Sequence, residues 1–176
     1  MLVHGAAGGV GSIAAQLAAR GGANVIAVVR TERQQAIARG YGVASALLDN
    51  DPDLTELIRD AAPDGVHRIA DVDLAGHIDL DAEIVAKQAT ISSYYSGLDR
   101  PEIPYWKLAV ADTTLRLLGS DDFPPVVKSQ AALELTEALL DRSLTIAVGE
   151  ELSLDQIAAA HEHVEHHPPG RIVLRL

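Results

Sequence analysis

The sequence predicts an α/β fold in which six parallel strands form a doubly wound sheet, and two observations carry this. Strand-length segments rich in β-branched residues alternate with segments of helical periodicity through residues 1–142, the pattern of parallel strands joined by right-handed crossovers. A glycine-rich stretch, HGAAGGVG from His4 to Gly11, joins the first of those strands to the first of those helices. A chain of 176 residues is also long enough to form one core, burying roughly 70% of its unfolded surface.

The elements follow in order. Met1 to Val3 form the first strand, and SIAAQLAAR carries small and apolar residues at helical spacing. Asn24 to Arg30 is a second, buried strand, and Glu32 to Arg39 a helix ended by Gly40. Ala44 to Asp49 gives a third strand, Asp51 to Ala62 a helix, His67 to Leu74 the fourth strand, Gly76 to Lys87 a helix, and Ala89 to Tyr95 the fifth strand. LDRPEIPYWKL reads as a loop before a sixth strand, Thr113 to Ser120, at the sheet edge. Pro124 and Pro125 start a helix running to about Asp141, after which SLTIAVGEELSL is extended and Ser153 caps a last helix, Leu154 to Glu165. The closing strand, Arg171 to Leu176, has no evident place in the parallel sheet and is expected to need a partner from outside the chain.

In the turn, Ala6, Gly8 and Gly11 take the first, third and sixth positions of a dinucleotide-binding fingerprint, with alanine where the first glycine is usual. A side chain at Gly8 would keep the backbone from a pyrophosphate, and its absence at Gly11 lets the helix pack on the strand. The helix N-terminus then offers free N–H groups to phosphate. At the end of the second strand, Val29 stands where an acid for the ribose 2′-hydroxyl is expected, and Arg30, Thr31 and Arg33 follow. Guanidinium in place of carboxylate suits a 2′-phosphate, so these residues read as favouring NADPH over NADH; the bland alternative makes Arg30 a solvated strand-end residue. Ligands of such sheets lie beyond the strand C-termini, which puts Asp71 to Ala75 and Tyr94 to Gly97 on the same crevice as Gly8 to Val10.

Composition narrows the partners. With 25 acidic and 14 basic residues the net charge is -11, which argues against nucleic acid or an anionic membrane surface and requires a local basic pocket for an anionic cofactor. Cysteine is absent, so the chain has no disulfide, thiolate zinc site or cysteine nucleophile. No apolar run reaches the roughly 18 residues of a membrane span and no signal peptide is evident, so a cytoplasmic protein is expected. The first strand starts at residue 1 with nothing leading into it, which reads as a truncation.

The order of HGAAGGVG, NVIAVVRTERQ, the IPYWKL loop, AAAHEHVE and a terminal GRIVLRL resembles the medium-chain dehydrogenase/reductase superfamily in its zinc-independent, zeta-crystallin-like quinone oxidoreductase branch, over essentially the whole chain. The resemblance implies a Rossmann-type domain over residues 1–142, and a segment, residues 143–176, that would complete a catalytic domain absent here. It implies hydride transfer from NADPH to a quinone or enone, without a metal and with no catalytic residue assignable in this chain. Gly8, Gly9 and Val10 would hold the pyrophosphate and Arg30 and Arg33 would favour NADP, while Tyr94, Tyr95 and Gly97, with Ser120 to Phe123, would lie near the nicotinamide. The family pattern also implies a homodimer paired through the edge strand Thr113 to Leu118. Asp49, where relatives often carry tyrosine, departs from the pattern and would repel a 2′-phosphate. A non-catalytic NADP(H)-binding module, half of a split enzyme, and a fragment of a zinc-type alcohol dehydrogenase are the alternatives.

Other constellations read as structural. HEHVEHH, His161 to His167, does not fit HExxH; His163 and His167 stand four apart, but a solvated helix end explains them. Tyr41, Tyr94, Tyr95 and Tyr105 are followed four residues on by Ser45, Leu98, Asp99 and Ala109, so no tyrosine–lysine pair exists, and no GxSxG occurs. Tyr94 and Tyr95 suit either stacking on a cofactor or packing, and Asp71 and Asp73 read as cap or turn residues.

Overall fold

A computed structural model describes every residue except Ser120, Asp122 and 167–169. Eight strands and seven helices are described: β1 (Leu2–His4), α1 (Gly11–Arg20), β2 (Ile26–Val29), α2 (Glu32–Arg39), β3 (Ser45–Leu48), α3 (Leu54–Ala61), β4 (Val66–Asp71), α4 (Leu74–Ile84), β5 (Val85–Ser93), α5 (Tyr105–Val110), β6 (Thr114–Leu117), α6 (Pro125–Leu140), β7 (Val148–Ser153), α7 (Ile157–Glu165) and β8 (Arg171–Arg175).

The first six strands form one parallel sheet in the order β3-β2-β1-β4-β5-β6, which is the doubly wound arrangement. Successive strand residues face opposite layers. Leu2, Ile26 and Val28 meet Ile58 of α3 and Ile78 of α4 on one face, whereas Val3, Ala27 and Val29 meet Ala15 of α1 and Ala38 of α2 on the other. Strands buried on both faces read as continuous apolar runs, which is why NVIAVV is visible as a strand.

Several boundaries differ from expectation for local reasons. The first strand extends to His4, which is buried rather than part of the turn. Asp51 accepts the Asp53 N–H at 3.0 Å, an Asx turn that delays α3 to Leu54. Helix α4 starts two residues early, at Leu74, and β5 follows it directly at Val85. The strand absorbs this with a register shift against β4, where Gln88 takes a left-handed φ of 59°. Part of the expected loop, Tyr105–Val110, is the short helix α5, anchored by buried Leu108.

The terminal strand is the main correction. It has its partner within the chain: β7 and β8 pair in parallel, with Glu151 opposite Val173 and Leu152 opposite Leu174, and α7 is the crossover between them. A Ser153–Gln156 capping box opens a 3₁₀ turn that leads into α7. The segment leading into β7 is held to α1 by Gln16, whose amide donates to the Thr145 carbonyl at 3.0 Å and accepts from the Thr145 N–H at 2.9 Å. Arg20 pairs with Asp141 at 2.8 Å beside it.

Candidate functional site

The turn after β1 is built from its glycines. Gly5 adopts φ 62°, and the Gly8 N–H returns to the Gly5 carbonyl at 2.8 Å. A Cβ on Gly11 would lie 2.3 Å from the Gly5 oxygen, so only glycine lets α1 begin against the turn. Gly8 is less constrained, with 3.1 Å to the same oxygen. Ala6 is fully buried and donates its N–H to Val28 at 3.1 Å, which makes it a support of the turn rather than a surface for a ligand. Gly9 and Val10 are exposed, and the N–H groups of Gly9, Val10 and Gly11 have no acceptor among the described residues. Val10 at the N-cap supplies no side-chain cap. The start of α1 is therefore an open set of donors at the positive end of a helix, a cradle shaped for phosphate.

A cation that sequence reasoning did not assign stands at this cradle. Arg171, the first residue of β8, donates from Nη2 to the Gly9 carbonyl at 2.7 Å and lays its guanidinium beside the exposed glycine. GRIVLRL was visible as a terminal strand, yet nothing in its pattern says which loop its arginine meets 162 residues away.

At the end of β2, Val29 is buried and Arg30 is the first exposed residue. The Arg30 N–H donates to Gln34 Oε1 at 3.0 Å, and its guanidinium forms no ion pair among the described residues. Thr31 serves as the N-cap of α2, accepting the Gln34 N–H at 3.2 Å, so its hydroxyl already has a structural task. Arg33 is exposed on the first turn of α2. Asp49 is exposed beside them, its N–H bound to the Val29 carbonyl at 2.9 Å.

The ends of β4, β5 and β6 frame the other part of the crevice. The Tyr94 N–H donates to the Asp71 carbonyl at 3.1 Å, and the Gly97 N–H to Asp73 Oδ1 at 2.6 Å. Tyr95 is 61% exposed and lines a cavity of about 360 Å³ together with Leu74, Ser93, Leu98 and Leu117. Burial, then the Asp71 charge, raise Tyr94 above the usual phenol value. Of the segment Ser120 to Phe123, Ser120 and Asp122 lie outside the described residues. His167 does too, and His163 pairs instead with Glu150 at 2.8 Å.

Asp71 is a turn residue, its Oδ1 accepting the Asp73 N–H at 2.9 Å, and Asp73 stands at the N-cap of α4. Asp71 is also fully buried, and the same oxygen meets His77 Nδ1 at 2.6 Å. His4, Asp71 and His77 are the one group of potential metal ligands close enough to share an ion among the described residues. The imidazoles of His4 and His77, however, stack with centroids 3.9 Å apart and planes 7° from parallel. A metal must lie near the plane of each ligating ring, at about 2.0–2.1 Å from nitrogen, and two parallel planes at this separation share no such point. This arrangement does not fit zinc.

Residues 9–116 match a family model described as zinc-binding dehydrogenase. The chain belongs to that family. Among solved structures, it is similar over 99% of its length to a mycobacterial protein complexed with NADPH, at 26% identity and a TM-score of 0.84, covering 56% of that chain. A structure of a mycobacterial quinone oxidoreductase gives 26% identity and a TM-score of 0.89 over the same shares of each chain. A 2-haloacrylate reductase, 24% identical with a TM-score of 0.89 and again covering 99% and 56%, shows the same fold. No match was found among curated protein sequences. The chain thus spans about half the length of the family members it matches.

Proposed function

We propose that this chain is the cofactor-binding portion of an NADPH-dependent oxidoreductase that passes hydride to a quinone or an enone. The observation that carries the reading is the cradle itself: unpaired N–H groups at Gly9, Val10 and Gly11 with the Arg171 guanidinium beside them, in a chain 26% identical to a protein solved with NADPH. Arg171 supplies the local positive charge that an anionic cofactor needs on a chain of net charge -11. When bound, the reduced nicotinamide supplies the hydride. The chain's own residues bind and orient: the α1 N-terminus and Arg171 take the pyrophosphate, Arg30 and Arg33 the 2′-phosphate, and Tyr94, Tyr95 and Gly97 bound the nicotinamide side.

Residues 1–142 are assigned to the cofactor domain and 143–176 to a segment of a second, catalytic domain, a division supported by the separate β7–β8 sheet. We also assign a homodimer through β6, whose position at the sheet edge and 73% exposed Leu117 favour pairing with a second copy.

Titration calorimetry with NADPH and NADH tests the binding claim, and loss of NADPH absorbance in the presence of a simple quinone tests the reaction. Arg30→Asp is expected to weaken NADPH by about 10- to 100-fold, from the loss of charge-assisted hydrogen bonds, and NADH by far less. Equal responses would remove Arg30 from the 2′-phosphate site, and binding without turnover in the full-length protein would favour a non-catalytic module.

A further inference from the structure

At the end of β1, where the glycine turn begins and on the face of the sheet packed by α4, lies a cluster of four ionisable side chains that the cofactor reading does not use. His4 closes β1 and Asp71 closes β4, while His77 and Asp81 stand one turn apart on the inner face of α4. His4 Nε2 meets Asp81 Oδ1 at 2.8 Å, His77 Nδ1 meets Asp71 Oδ1 at 2.6 Å, and the two imidazoles stack between the carboxylates. His4, Asp71 and Asp81 are essentially excluded from solvent, whereas the His77 side chain is 24% exposed and gives the cluster its access to protons. Among the described residues, His4 Nδ1, Asp71 Oδ2 and Asp81 Oδ2 have no hydrogen-bond partner.

The charge of this cluster is its unsolved problem. Two ionised carboxylates with two neutral imidazoles would bury two negative charges, which an apolar interior opposes. Two imidazolium rings would balance them, but at the cost of like charges 3.9 Å apart. The groups facing the pair are Asp71 from the end of β4, Asp73 from the N-cap of α4, Asp81 from α4 and Tyr94 from beyond β5. The cations of the neighbouring α3 and α5, Arg59 and Lys107, are taken by Glu83 on the exposed side of α4. Among the described residues, carboxylate charge therefore surrounds the rings with no cation other than their own protons. Burial, which lowers His77, is outweighed by its Asp71 hydrogen bond and the charges of Asp71, Asp81 and Asp73, so its net shift is upward; burial raises Asp81 as well.

We infer that His77, stacked on His4 and bonded to Asp71, is a protonation site coupled to the glycine turn at the end of β1, so that binding of a dinucleotide pyrophosphate at that turn draws proton from solvent onto His77. This inference rests on the cofactor reading. An anion on the Gly9–Gly11 donors adds negative charge to a turn that starts at the residue after His4, whose neighbouring carboxylates are already incompletely balanced, and the least costly response is protonation of the ring that reaches water. His77 is also a positioning residue: through Asp71 it holds the Asp73 N–H, and the Asp73 carboxylate in turn holds the Gly97 N–H, so the charge state of the cluster is tied to the loop on the nicotinamide side.

Calorimetric titration of the chain with NADP⁺ at neutral pH, in two buffers of different ionisation enthalpy, reads the proton directly. The 2′-phosphate titrates near the same range, so the contrast with His77→Asn, which keeps a donor for Asp71 without a titrating ring, isolates the protein's share. The expected result is fractional proton uptake in the natural chain that His77→Asn abolishes, with an affinity advantage of about threefold to tenfold at pH ~6 that disappears by pH ~9. Binding with equal uptake in both proteins, or with none, overturns the inference while leaving the cofactor reading intact. Absence of NADP⁺ binding at every pH overturns both. Should His77→Asn fail to fold, the imidazole resonances of the natural chain decide: an upward move of the His77 titration on adding NADP⁺ supports the coupling, and an unmoved titration overturns it.

Discussion

Gly11 is the residue on which the turn depends most. Its missing Cβ leaves room for the Gly5 carbonyl, which a methyl group would approach to 2.3 Å against rigid backbone rather than a flexible side chain. Gly11→Ala should therefore destabilise the chain by about 1–3 kcal/mol by overpacking, measured by urea denaturation, and weaken NADPH by displacing the donors at Gly9 and Val10. At Gly8 the same change is milder, because the contact is 3.1 Å. His77 makes stability depend on pH in a defined direction. A group whose value is raised on folding, as for His77, adds stability fully below its unfolded value of about 6.5 and loses it as pH rises through the folded value. Thermal melts of the natural chain and His77→Asn should accordingly differ most in mild acid and converge above neutrality. Asp141 acts in the opposite sense: held down to about 2 by Ser143 and Arg20, it contributes above 3.8 and loses its contribution as pH falls.

Elements with a strong local signal were legible in the sequence, and those defined by distant contacts were not. HGAAGGVG and NVIAVV announce themselves because a strand buried on both faces is continuously apolar and a tight turn into a helix demands glycine. Helix α5 is hidden because Pro101 and Pro104 crowd the chain just before it and a single buried side chain, Leu108, anchors it. The pairing of β7 with β8 was missed for a different reason, since period-two alternation tells which face is apolar but not which strand lies alongside. The same holds in the site: no local pattern joins His4 to Asp81, 77 residues on, or Arg171 to Gly9. Gln16 ties α1 to the segment that leads into β7, its side-chain amide satisfying the Thr145 backbone as another strand would. Gln16→Leu removes those bonds at a site 4% exposed and should cost about 1–3 kcal/mol. NADPH affinity should fall with it if β8 is what carries Arg171 to the cradle, and an unchanged dissociation constant would show that Arg171 is held without this tie.

For the molecule as a whole, the six-stranded sheet has one edge at β3 and another at β6, and the proposed dimer uses the second. Sedimentation at micromolar concentration should find a dimer, with Leu117→Lys shifting it towards monomer by placing like charges across the two-fold; a monomer for the natural chain would remove the β6 assignment. The bond between Arg171 and Gly9 also ties the glycine turn to a strand of the other sheet. Freeing β8 would leave the backbone donors of the turn in place and take away the guanidinium beside them. Limited proteolysis that removes β8 should therefore weaken binding at the proposed cradle while the glycine loop stays intact.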